Sequence, residues 1–229
     1  MNTLPDNVIP IDKEGEFEFS CHSKVPCFTE CCRELELFLL PYDVLRMVKA
    51  LKITSQQFLD QYAVIEFLEN DLYPKVYLGM TNDHRTSCPF VTGHGCRVYN
   101  DRPAACRTYP LGRGAFHSSG IRKEVFVLLQ EPHCQGFSQK TAYTVQSWHH
   151  DQGINEYNQY NDIFLPIFNS KFFNDGNRLT EKRAELFILA LYNTDQFKED
   201  YPEVCSGLLE DVDATLTAIS SWLEPRLFE

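Results

Sequence analysis

Nine cysteines stand in this chain, and eight of them fall into two runs: Cys21, Cys27, Cys31 and Cys32, then Cys88, Cys96, Cys106 and Cys134. No other feature restricts the fold so much, because packing alone does not call for thiols in runs. A disulfide framework would need an oxidising compartment and an even count. Met1 to Pro10 offers neither the basic stretch nor the apolar stretch of a secretory signal, so the chain is expected to remain in the cytoplasm with its thiols reduced. Under those conditions clustered cysteines read as metal ligands.

With 229 residues, 43% of them hydrophobic, the chain is long enough to bury a core. Its formal charge of -11 argues against nucleic acid as a partner, since phosphate contact needs clustered lysine and arginine. No window approaches the roughly 18 apolar residues of a membrane span. Partners are thus expected to be an unidentified protein or a small-molecule substrate, with no nucleic acid and no membrane.

In the first run, Phe17-Glu-Phe19 reads as a short strand at the end of an extended arm. Cys27 to Cys32 has helix-compatible spacing, which would put Cys27 and Cys31 on one face and turn Cys32 about 100° away. Adjacent thiols rarely share one tetrahedral ion, so the Cys31-Cys32 pair hints at two sites. The bland alternative is that one of the pair is a buried, inert thiol.

Arg33 to Leu39 alternates as a strand does. A helix then starts at Pro41 with Asp43 in its first turn and Val44, Leu45, Val48 and Leu51 inward, and Thr54 with Gln57 forms a capping box for a second. Both read as core. Lys75 to Met80 is the most strand-like piece before the second run.

There, Thr92-Gly-His-Gly95 predicts a hairpin that draws Cys88 and Cys96 together, with His94 solvated at its tip. Asn100 or Asp101 is the expected cap of a helix carrying Cys106, ended by Pro110. Leu111 to Gly114 and His117 to Gly120 read as flexible loop, and Glu124 to Leu129 as the strand that leads to Cys134.

The run Cys96-Arg-Val-Tyr-Asn-Asp-Arg-Pro-Ala-Ala-Cys106-Arg-Thr-Tyr-Pro110, with Cys88-Pro-Phe before it and the early Cys31-Cys32 pair, resembles the YkgJ-type cysteine-cluster family of bacterial proteins. The resemblance covers roughly residues 17 to 137. It implies zinc or iron chelation or an iron–sulfur cluster, and it extends to flagellin lysine N-methylases. The family's first motif, Cys-x2-Cys-x2-Cys-Cys, would need cysteines where Phe28 and Val25 stand, and this chain has Cys27 and Cys21 instead.

Only Cys27 and Cys31 have the close spacing of a zinc knuckle. Gaps of five, seven, nine and twenty-seven residues separate other successive cysteines, which suits an iron–sulfur core with wider reach. The reading is a [4Fe–4S] cluster on all eight, with zinc as the alternative and a non-cluster iron site behind it. Arg85, Arg97, Arg102, Arg107 and Arg113 form a local excess of positive charge. Arg102 and Arg107, inside the motif, are the candidate cofactor-binding residues: they would offset cluster charge or hold a substrate carboxylate.

The remainder reads as helix: Thr144 to Gln152, then Asn155 to Phe173 kinked at Pro166, Thr180 to Leu191 and Asp211 to Leu223. His149 and His150 read as solvent-facing or supporting rather than ligating, and Cys205 as a plain buried thiol. No dinucleotide, Walker or nucleophile-elbow motif is present.

The expected fold is α+β and mostly helical, an irregular cysteine-rich core with short strands over 17–137 followed by a helical region over 138–229. The expected function is a redox or carrier role for an iron–sulfur protein. The alternatives are an S-adenosylmethionine-dependent lysine methyltransferase and a structural zinc protein.

Overall fold

A computed structural model describes residues 4–118, 121–208 and 211–228. Strands β1 (Val8–Ile11) and β2 (Glu16–Glu18) precede helices α1 (Pro41–Leu51) and α2 (Ser55–Tyr62). Four strands follow, β3 (Ala63–Glu66), β4 (Lys75–Leu78), β5 (Val91–Thr92) and β6 (Gly95–Cys96), and then helix α3 (Ala104–Thr108). Strands β7 (Leu111–Ser118), β8 (Ile121–Leu129) and β9 (Ala142–Thr144) lead into helices α4 (Val145–Asp151), α5 (Ile154–Asp162), α6 (Leu165–Phe168) and α7 (Lys171–Asn174). Helices α8 (Glu181–Leu191), α9 (Thr194–Asp200) and α10 (Val212–Phe228) complete a mixed α+β, mostly helical fold. Among the described residues no helix is long and apolar enough to cross a membrane.

The chain forms two compact units, each assembled from separate stretches: residues 1–36 with 80–156, and residues 37–79 with 157–229. The first holds the antiparallel sheet β1-β8-β7, the pair β2-β9 and the hairpin β5-β6. Its core gathers Phe17, Phe19, Leu111, Phe126, Leu128, Val145 and Trp148. Phe19 meets Tyr109, Phe137 and Trp148 edge to face, and full burial of such a ring contributes about 1.5–3 kcal/mol.

The arm expected over the first twenty residues is more than an arm, for Val8 to Ile11 pairs with Leu129 to Phe126 as an edge of this sheet. The loop expected at Leu111 to Gly114 is strand β7 instead. Its glycines make room for neighbours: a Cβ on Gly112 would lie 2.8 Å from the Val127 Cγ2, and one on Gly114 2.9 Å from that of Val125. Ser119 and Gly120, the rest of that expected loop, lie outside the described residues.

In the second unit α1 and α2 start where the caps predict, and Thr54 and Gln57 exchange their capping bonds. On α1 Tyr42, Val44 and Met47 are fully buried, while the expected Leu45, Val48 and Leu51 are half-buried. Tyr42 packs on Tyr157 and Tyr160, while Tyr73 packs on Phe168, Phe173 and Phe187. Buried Ser55 ties α2 to the start of α9, donating to Asn193 Oδ1 at 2.9 Å and accepting from the Asp195 N–H at 3.0 Å.

Two expectations fail here for local reasons. Arg33 to Leu39 is no continuous strand, because Glu34 takes a left-handed φ of 51°; Arg33 bridges to Ser87 on one side of that break, and Leu37 to Leu39 pair with β4 on the other. The single kinked helix over 155–173 is three short ones, α5, α6 and α7. Pro166, lacking an N–H, sits in the first turn of α6 rather than within a longer helix.

Candidate metal centre

All eight cysteines of the two runs lie in the first unit, and all are exposed or half-exposed, whereas Cys205 is buried at 2% exposure. Free cysteine is ordinarily among the most buried residue types, so eight accessible thiols in one unit need a reason other than packing.

Cys27 to Cys32 is not the expected helix. Turns carry the chain through Cys27, Thr29 takes a left-handed φ of 70°, and only Glu30–Cys32 closes as a 3-10 turn, so the shared-face argument for Cys27 and Cys31 does not hold. Tertiary contacts place the thiols instead. The Gln135 N–H donates to the Cys27 sulfur at 3.2 Å, and the Cys88 N–H donates to the Cys32 carbonyl at 2.8 Å. Arg33 reaches the Ser87 hydroxyl, and Arg85 pairs with Glu30 at 2.5 Å.

The second run follows its predicted turn. Val91 pairs with Cys96 in the β5-β6 hairpin, and exposed His94 at its tip donates its N–H to the Thr92 hydroxyl at 3.1 Å. Gly95, at φ 112°, lies so close to Phe28 that a Cβ would meet the ring at 3.1 Å. The Phe90 N–H points at the Cys88 sulfur, 3.4 Å away.

Cys106 rides on α3, whose N-cap position is held by Pro103 rather than by Asn100 or Asp101. Arg102 and Arg107, both buried, hold α3 in place. Arg107 donates to the carbonyls of Gln152 and Asn100, each at 2.5 Å. Arg102 donates to the Tyr99 carbonyl at 2.6 Å and to Gln152 Oε1 at 2.5 Å while stacking on the Tyr99 ring. Trp148 Nε1 adds a bond to the Thr108 carbonyl at 2.8 Å.

Electrostatics show which thiols face one another. Burial pushes the Cys21 thiol up to about 11, with neighbouring Cys31, Cys27 and Cys134 acting in the same direction. The Cys31 thiol is lowered by a hydrogen bond from Cys32, and Cys32 is correspondingly raised, by that bond first and by burial second. Cys88 and Cys106 also oppose ionisation of Cys32. Burial raises Cys88 and Cys96, which lie near each other, while Arg102 works to lower Cys96.

Cys21 thus lies near Cys31, Cys27 and Cys134, and Cys32 near Cys88 and Cys106, while Cys31 also acts on Cys88 and Cys96, so the vicinal pair stands between the two runs. Tyr109 lies beside Cys134, and burial and then that sulfur raise its phenol. Its hydroxyl meets no acceptor in hydrogen-bonding geometry, so the approach to sulfur is a contact rather than a formed bond.

As they stand, no three Cys, His, Asp or Glu side chains among the described residues converge into a group that could hold a metal ion. The donor chemistry nonetheless fits thiophilic zinc or iron: accessible sulfurs, two of them receiving main-chain N–H groups, with a guanidinium beside Cys96.

Other groups near the thiols carry weaker signals in the sequence. Asp83 accepts the N–H groups of Arg85 and Ser87 at 3.0 and 2.9 Å, a short polar turn that sets up Cys88. A cavity of about 700 Å³ opens on Cys31, walled by Glu30, Arg33, Arg85, Glu131 and His133 among others. His149 is buried against Phe126, and His150 is exposed.

A family model described as "CxxCxxCC: Putative zinc- or iron-chelating domain" matches residues 20–147. No curated protein and no solved structure matches the chain. The match covers more than half of the chain and takes in all eight clustered cysteines, so this is a metal-binding protein that belongs to the CxxCxxCC family of zinc- or iron-chelating domains.

Proposed function

We propose that the protein carries iron as an iron–sulfur cluster of the [4Fe–4S] kind on Cys21, Cys27, Cys31, Cys32, Cys88, Cys96, Cys106 and Cys134, and acts as a redox or cluster-carrier protein. The observation that carries this reading is the presence of eight accessible thiols, from segments more than a hundred residues apart, in one compact unit, while Cys205 alone of the nine is buried. Four thiolates are what such a cluster requires, so eight thiols supply one site with ligands to spare or two sites, and the adjacent Cys31 and Cys32, which rarely share one ion, favour two. When bound, the cluster supplies one-electron transfer. The residues' own part is to hold it, to direct the N–H groups of Gln135 and Phe90 at Cys27 and Cys88, and to place Arg102 beside Cys96.

Iron and acid-labile sulfide analysis of protein isolated without oxygen, with absorption and EPR spectra, tests the reading. Both elements are expected in cluster proportion; stoichiometric zinc without iron would overturn it in favour of a structural site.

One observation favours a second reading, a methyltransferase using S-adenosylmethionine. The cavity of about 700 Å³ beside Cys31 is within the usual range for a nucleoside-sized ligand. Arg33 and Arg85 line it, whereas Arg102 and Arg107 do not. Calorimetry with S-adenosylmethionine on the metal-loaded protein separates the two: tight binding favours the enzyme, and its absence together with a reversible one-electron couple favours the carrier.

A further inference from the structure

In the second unit, β4 has neighbours on both sides. It pairs with β3, and on the other side the Leu39 N–H donates to the Val76 carbonyl at 2.8 Å and the Leu78 N–H to the Leu37 carbonyl at 2.9 Å. Among the described residues β3 has no second neighbour. Exposed apolar side chains flank that edge: Val64 and Ile65, successive in the strand and so on opposite faces, are 46% and 45% exposed, and Leu68 just beyond is 63% exposed.

Natural edge strands are usually protected by lysine, proline, a bulge or a cover. Ala63-Val-Ile-Glu66 has no lysine or proline, and its register with β4 runs unbroken from Ala63 opposite Leu78 to Glu66 opposite Lys75. Such an edge is a template for another strand.

A groove of about 540 Å³ lies beside that edge, with Leu59, Ile65, Phe67 and Ile188 in its apolar floor. Asp60, Glu181 and Glu185 line it with no lysine or arginine among the lining residues, while Arg178 stacks on the Phe67 ring, 3.7 Å from its centroid, and donates to the Asp71 and Phe67 carbonyls. Asp60 receives the Gln56 amide at 2.8 Å, and among the described residues none of Asp60, Glu181 and Glu185 takes part in an ion pair. Three carboxylates around an apolar floor favour an occupant that brings both apolar side chains and positive charge. A second copy of this chain fits poorly, because it would set acidic rim against acidic rim in a molecule already at -11.

We propose that the open edge of β3 and the adjoining acidic-rimmed groove form a docking site for an extended segment of a partner protein. That segment would alternate apolar residues with lysine or arginine. It would add to the β3-β4 sheet through main-chain hydrogen bonds, seat an apolar side chain between Phe67 and Ile188, and place its cations against Glu181 and Glu185. The site lies within the second unit and does not depend on which metal the cysteines hold.

The test uses the full-length protein and a short, fluorescently labelled synthetic peptide of alternating valine and lysine, read by anisotropy and by amide hydrogen exchange. The peptide is expected to bind and to protect β3 amides. In Glu181→Lys/Glu185→Lys the affinity should fall at least about tenfold, and the matching valine–glutamate peptide should now bind that variant in preference. Equal affinity for both proteins, equal binding of the glutamate peptide to the native chain, no protection at β3, or self-association of the free chain through β3 would each overturn the proposal. Both substitutions fall on exposed positions of α8. If the double variant nonetheless fails to fold, Glu185→Gln alone should weaken the lysine peptide about threefold, and an unchanged affinity there would overturn the proposal equally.

Discussion

The main-chain N–H of Gln135 donates to the sulfur of Cys27 at 3.2 Å, a bond that spans 108 residues of sequence. Through it the last clustered cysteine, Cys134, is held next to the first run, in the neighbourhood that Cys21 and Cys31 also share. Metal content should therefore depend on both runs at once. Cys31→Ser or Cys106→Ser is expected to lose most bound metal and part of the fold, since ligand binding and folding are coupled. Cys205→Ser, in the other unit, should leave metal content unchanged. Elemental analysis of the purified variants decides this, and loss of metal on Cys205→Ser alone would contradict the assignment of ligands to the first unit.

Gly136 provides a geometric test of the same junction. A Cβ there would lie 2.3 Å from Phe19 Cε2 and 2.8 Å from its Cζ, and Phe19, at 1% exposure, has no room to retreat. Gly136→Ala should cost about 1–3 kcal/mol through overpacking and shift Cys134 enough to weaken metal retention. Gly93→Ala in the hairpin turn meets nothing within 4 Å and should leave stability nearly as it was. Urea unfolding of both variants, with a chelator competition, gives the comparison.

Arg107 is expected to matter for structure in proportion to the carbonyls it serves. Arg107→Ala removes the donors to Gln152 and Asn100 and leaves those main-chain acceptors without them, which should destabilise the first unit by about 2–3 kcal/mol. Arg107→Lys retains the charge but not the forked geometry, so it should recover less than half of the loss. Full recovery by lysine in a denaturant titration would indicate that charge, not the two-carbonyl fork, is what α3 requires.

His149 sets an acid limit on stability. Burial depresses its pKa, and Arg113 and Lys13 act in the same direction while Glu124 opposes them; Phe126 packs on its ring, and its buried Nε2 has no hydrogen-bond partner among the described residues. Because the folded pKa lies below the unfolded value of about 6.5, protons bind the unfolded chain first as pH falls. The stability that His149 contributes is complete above that value and is lost as pH drops from it toward the folded pKa, by at most about 1.4 kcal/mol per pH unit. His149→Gln should flatten this part of the stability profile, measured by denaturant titrations between pH 7.5 and 5.

Much of the local structure follows from short-range chemistry and was legible. Thr54 and Gln57 cap α2, Thr180 starts α8, and the Gly93-His94 turn forms the hairpin, because each signal acts within four residues of its effect. Misreadings arose where one residue type serves two purposes. Gly112 and Gly114 signalled a loop but are space for Val127 and Val125, and Cys27 to Cys32 has helical spacing but is interrupted by a left-handed Thr29.

By itself the sequence determined that eight thiols of one chain belong to a metal-chelating family, since residue identity and spacing carry that chemistry without any fold. Only the tertiary structure decided that all eight thiols share one unit, that Arg102 and Arg107 clamp α3 to the end of α4, and that residues 37–79 form a unit with the C-terminal helices. Those outcomes depend on contacts between segments far apart in sequence, such as Cys27 with Gln135 and Arg107 with Gln152. Which distant groups pair is settled by the cooperative burial of a shared core, and no local pattern encodes it.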